Sequence, residues 1–169
     1  MIKWLLIPIF VFGFNFKQQY INQNYKEICK YGVSHFQEIK KNEDTLSLVG
    51  FSCVKSDQLL YLPYIINNLK YTKRARANSI YFSVIFLEKK LLIANIIDDL
   101  DISYYRFPKI NHPISVVLDH IINKEFTKKD GIIIVKNNET TYKIYSNNES
   151  KVFIDIYKDN KLISTHWYR

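Results

Sequence analysis

Apolar residues along this chain follow two different periods, and the change falls near Gly131. Before it they recur every three or four positions, the helical period. After it they recur every second position, the strand period. Tyr25, Ile28, Cys29, Gly32, Phe36 and Ile39 mark one helical stretch over 18–40. The polar run Lys40-Lys41-Asn42-Glu43-Asp44 breaks it. Asn42 suits a helix N-cap, and Glu43 and Asp44 complement the dipole of a helix over about 43–55. That second helix carries Leu46, Val49, Gly50 and Cys53. Two helices joined by a short turn predict an antiparallel hairpin with Cys29 and Cys53 on facing sides.

A second pair follows. Ser56 or Asp57 opens a short helix that Pro63 interrupts, ending near Leu69. The segment from Thr72 to about Ile97 carries two signals. Ser79 to Leu87 is rich in β-branched and aromatic residues, which favours strand. The only candidate turn, Glu88-Lys89-Lys90, lacks the Gly, Asn or Asp of a hairpin. One long helix is therefore preferred, with Ile80, Val84, Leu87 and Leu91 on one face. Asp98, Asp99, Pro108 and Asn111 mark turns. A helix from Pro113 to about Lys124 carries Ile114, Val117, Leu118, Ile121 and Ile122.

Four strands are expected beyond Gly131: Ile132 to Val135, Thr141 to Tyr145, Lys151 to Tyr157, and Leu162 to Tyr168. Asp159-Asn160 supplies a two-residue turn into the last of them. Helices first and strands afterwards predict an α+β fold, helical hairpins followed by a four-stranded antiparallel meander. The expected organisation is a signal peptide or membrane anchor over 1–16, a helical domain over 17–125, and the meander over 131–169 packed on the helices.

The opening of the chain changes the picture. Thirteen uncharged residues, Trp4 to Phe16, follow Lys3. As a helix they would span roughly 20 Å, short of the ~30 Å hydrocarbon core, and they read as a secretory signal. Val11-Phe12-Gly13 is the best cleavage match. An uncleaved anchor and a buried N-terminal element are the other two readings. Export to the periplasm or the cell exterior is the expectation. Two cysteines in such a chain suggest a bridge between Cys29 and Cys53. It would close a loop of about 25 residues and stabilise by roughly 3 kcal/mol. Two separate buried thiols are the alternative.

Tyr25-x3-Cys29, Leu46-x3-Gly50-x2-Cys53 and Arg76-Ala77-x4-Phe82 resemble the paired helices of tetratricopeptide and Sel1-like repeats. The resemblance covers about residues 20–95. The consensus Trp and the regular 34-residue period of those repeats are missing. It implies protein-binding scaffolding, and exported members of that group tolerate an inter-helix disulfide.

The chain has 169 residues and a net charge of +8, which favours anionic partners. Lys70, Lys73, Arg74 and Arg76 lie within seven residues beside Tyr71 and form the candidate anion-binding segment, for nucleic acid, an anionic membrane surface or acidic glycan. The macrodipole disfavours such cations at the start of the long helix, so they need partners elsewhere. Phe153, Tyr157 and Trp167 are candidate contacts for a partner on the outer face of the meander. His112, Asp119 and His120 are the candidates for a small hydrolase. No H-E-x-x-H, G-x-S-x-G or P-loop occurs, so neither a catalytic set, nor a metal site, nor a cofactor is assigned. Asp98, Asp99 and Asp101 lack the later Gly and Glu of a calcium loop. Asn138-Glu139-Thr140 and Asn148-Glu149-Ser150 match the glycosylation sequon. The expected function is protein contact in the cell envelope, with another envelope protein as partner. Anion binding and hydrolysis are the alternatives.

Overall fold

The computed structural model describes residues 13–169. All but the last four residues of the Trp4–Phe16 run lie outside the described residues. Those residues form seven α-helices and a five-stranded antiparallel sheet at the C-terminal end. The fold is α+β, with one strand more than the four expected. No helix among them is long and apolar enough to cross a membrane.

The stretch 18–40 is three helices, not one: α1 (Phe16–Ile21), α2 (Tyr25–Ser34) and α3 (Phe36–Ile39). Gln23, between Asn22 and Asn24, takes a positive φ of 59° and ends the first. The hydroxyl of Ser34 donates to the Tyr31 carbonyl and competes with the backbone at the second break. Helix α4 (Glu43–Lys55) begins where Asn42 predicts. The Asn42 side chain accepts from the Thr45 amide at 3.0 Å.

Helices α2 and α4 form the expected hairpin, and Cys29 and Cys53 are bridged across it, their Cα atoms 4.9 Å apart. Gly32 and Gly50 let neighbours come close. A Cβ on Gly32 would meet Val49, and one on Gly50 would lie 2.4 Å from the Phe82 ring.

A 3-10 turn (Leu59–Tyr61) leads into α5 (Leu62–Ile66). Pro63 sits in the first turn of α5 and starts that helix rather than interrupting one, because its missing N–H has no partner to lose there. The long segment is a single helix, α6 (Lys73–Asp98), about 39 Å in length. The four residues grouped on one face divide: Val84 and Leu91 are buried. Ile80 is 65% exposed and Leu87 is exposed, whereas Phe82, Ile85 and Leu92 are fully buried. Apolar residues surround much of this helix, so spacing alone does not choose the face. Helix α7 (Pro113–Ile122) buries Ile114, Val117, Leu118 and Ile121.

The sheet runs in chain order: β1 (Thr127–Lys129), β2 (Ile132–Asn137), β3 (Thr140–Ser146), β4 (Val152–Lys158) and β5 (Lys161–Tyr168). The extra strand, β1, is Thr-Lys-Lys, entirely exposed and without alternation, so no period marks it. Asp130 and Gly131, both at positive φ, turn it into β2. Asp159 and Asn160 make the expected two-residue turn, again with both φ positive. Val135, Ile144, Val152, Ile154 and Tyr168 form the inner face and pack with α6 and α7 into one core.

Candidate functional site

The basic segment is engaged within the chain. Glu43, in the first turn of α4, accepts from the amides of Lys70, Tyr71 and Thr72 at 2.5, 2.7 and 2.8 Å. Those hydrogen bonds, the Tyr71 amide foremost, hold its carboxyl down to about 2. Asp44 pairs with Arg74. Arg76 donates to the carbonyls of Lys70 and Tyr71. Of the cations that the α6 dipole disfavours, Arg74 is offset by an α4 carboxylate, Arg76 is held by carbonyls, and Glu43 satisfies the amides that lead into the helix. Lys70 and Lys73 make no ion pair among the described residues.

The hydrolase candidates do not converge. His112 caps α7 through its own ring, with Nδ1 accepting from the Ile114 amide at 3.3 Å. Burial, with His166 nearby, pushes it down to about 4. Asp119 takes the Lys109 ammonium at 2.8 Å. His120 Nδ1 meets the Val116 carbonyl at 2.9 Å. Asp119 and His120 share a hollow of about 260 Å³ that His112 does not line. Among the described residues, no group of three His, Cys, Asp or Glu gathers to hold a metal.

Phe153, Tyr157 and Trp167 do share the outer face of the sheet. Phe153 pairs with Trp167 across β4 and β5, and Tyr145 stacks on Phe153 at 5.3 Å. Lys143 sits over Tyr157 at 4.4 Å. Of the three, Trp167 also reaches a cleft that the spacing of the sequence does not reveal.

That cleft, about 700 Å³, lies between the turn after α4, the middle of α6 and the end of β5. Lys89, Lys90, Lys151 and Arg169 line it with one acid, Asp57, and Lys151 is already paired with Glu149 beside the cleft. Asp57 is already taken by His166 Nδ1, at 2.9 Å, a contact that ties the turn to β5. Phe86 lies one helical turn before the two lysines, whose ammonium groups stand 5.6 and 5.7 Å from its ring. Lys151 sits over the Trp167 ring at 5.7 Å.

Lys89 is the unusual member. It is only 5% exposed, yet among the described residues it makes no ion pair. Burial, and then Lys90, push its ammonium below the usual lysine range. Its stem is buried while its ammonium faces the cleft, where an anion could meet it. The neighbouring Glu88 does not supply that anion, since adjacent helix positions face different ways. Glu88 points into the core, where neither of its oxygens has a hydrogen-bond partner. Burial raises it to about 7, and the nearby Ser115 hydroxyl, which makes no hydrogen bond to it, opposes that only in part. A second hollow, about 320 Å³ beside the end of α6, mixes Asp99 and Asp101 with Lys124 and Lys128, so its charges offset one another.

No family model, curated protein or solved structure matches the chain. The cleft therefore rests on its own geometry. Apart from Trp167, its residues carry no joint signal in the sequence because they come from four separate stretches. Glu88-Lys89-Lys90 was the one available signal, a charged triplet inside a long apolar helix.

Proposed function

We propose that the protein is a non-enzymatic binding protein of an oxidising compartment outside the cytoplasm. It works by protein contact, holding an acidic segment of another envelope protein in the cleft around Lys89. The bridged cysteines favour that compartment, since such bonds persist where thiols are not kept reduced. The lining of cations and aromatic rings supports binding of an acidic segment. One observation carries the ligand class, the ammonium of Lys89, which ends a largely buried side chain in the cleft lining, makes no ion pair among the described residues, and stands among further cations and aromatic rings. An acidic side chain would neutralise Lys89 while apolar neighbours cover Phe86 and Trp167.

The test is titration of a short fluorescent aspartate peptide into the purified protein. Binding should weaken as salt rises from about 50 to about 500 mM. It should fall at least about tenfold with Lys90→Glu, an exposed position whose reversal spares the core. Binding that ignores both salt and Lys90→Glu would remove the cleft from consideration.

A further inference from the structure

The two edges of the sheet are built differently. β1 is three residues long, all exposed, two of them lysine. Short, charged edges refuse a further strand. β5 is eight residues long and is bonded only to β4. It exposes Leu162, Ile163 and Trp167, and it contains neither proline nor an acidic residue. Its free side is an open ladder of backbone donors and acceptors. The far end of that ladder runs into the cleft, where Trp167, Tyr168 and Arg169 form one wall.

We propose that the free edge of β5 is a strand-addition site, and that its occupant is an extended acidic segment whose side chains reach Lys89, Lys90 and Arg169. This deepens the cleft reading above and rests on it. Strand addition takes affinity from the backbone and specificity from alternate side chains. A period of two would send every second residue of the incoming strand to one face, so one acidic residue in two suffices. Charge decides the occupant. Lys161 starts β5 and Arg169 follows its end, with no acid between. A second copy pairing antiparallel along this edge would set Lys161 against the copy's matching cationic end, and like charges opposed across strands repel. An acidic segment meets opposite charge at both ends.

The experiment uses the whole chain and a fluorescent peptide of alternating Asp and Val, as long as the eight residues of β5. Two isomers carry backbone N-methyl groups, at the odd or at the even residues. Only alternate amides of an added strand point at the edge. One isomer should therefore lose at least about tenfold in affinity while the other stays within about twofold. Hydrogen exchange should slow at alternate amides of β5. Equal binding by both isomers, or no binding by the unmodified peptide, would overturn strand addition. So would a concentration-dependent dimer held through β5. The short aspartate peptide cannot form a ladder and reads the cleft alone. If Lys90→Glu weakens it while the isomers bind alike, the cleft stands and strand addition falls. If Lys90→Glu changes neither peptide, both fall.

Discussion

Replacing Glu88 with glutamine should make the protein more stable at alkaline pH and not at acid pH. Glu88 is fully buried between α6 and the sheet, and both its oxygens lack partners. Its carboxyl titrates near 7 in the folded chain, against an ordinary 4.5. Burial thus favours the protonated form. Below about pH 4.5 both folded and unfolded chains hold the proton, and the carboxyl costs nothing as a charge. Between 4.5 and 7 the unfolded chain releases the proton first, so stability falls as pH rises. Above 7 the folded chain carries a buried charge. At about 1.36 kcal/mol for each pH unit, the difference comes to about 3 kcal/mol. Glutamine is nearly isosteric and does not titrate. Its own unpaired amide adds an offset that is the same at every pH. Urea denaturation of both proteins, at about pH 4 and about pH 8, reads the effect as a difference of differences. The variant should gain about 3 kcal/mol relative to the parent between the two conditions. A gain below about 1 kcal/mol, or one of the opposite sign, would show that the ionised carboxylate has a partner and would refute the reasoning.

Other outcomes follow from the same physics. His112 titrates near 4 rather than 6.5, so its neutral form supports the fold above 6.5 and roughly 3 kcal/mol is lost as pH falls from 6.5 towards 4. The slopes of Glu88 and His112 oppose each other, so the parent should change little between about pH 4.5 and 6.5, whereas Glu88→Gln becomes acid-labile there, as a pH series of melting temperatures will show. Reduction of Cys29–Cys53, which spans 24 residues, should cost about 3 kcal/mol in chemical denaturation. Gly50→Ala would gain helix propensity of about 1 kcal/mol. It should still destabilise, by a net ~1 kcal/mol or more in thermal melts, because the Phe82 ring is fully buried and has little room to retreat.

Much of the fold was legible because local signals agreed. Asn42 began α4, Pro113 began α7 and Asp159-Asn160 turned β4 into β5, each through chemistry confined to a few residues. The cysteine pairing followed from the helical hairpin. What was missed depended on context. The break at Gln23 is a left-handed residue that is not glycine, and β1 borrows its order from β2. The buried side of α6 does not follow polarity: Glu88 and Lys89 are buried with Val84 and Leu91, while Ile80 and Leu87 are not. That inversion is also where the candidate site arises. Part of the helix that polarity would place in solvent is enclosed by the 57–61 turn and β5, brought together by the contact between Asp57 and His166. The basic segment stood out in the sequence, but Glu43 and Asp44 of α4 occupy much of it.

Lys89 carries the central claim, so Lys89→Met tests it most directly. The substitution keeps the length of the side chain and removes a charge on a largely buried residue that makes no ion pair among the described residues. Thermal stability should hold or rise, since the cation's desolvation is relieved. Affinity for the short aspartate peptide, measured by fluorescence anisotropy on the same sample, should fall at least about tenfold. Unchanged affinity in a folded Lys89→Met protein would contradict the account, for the ammonium would then play no part in holding the peptide.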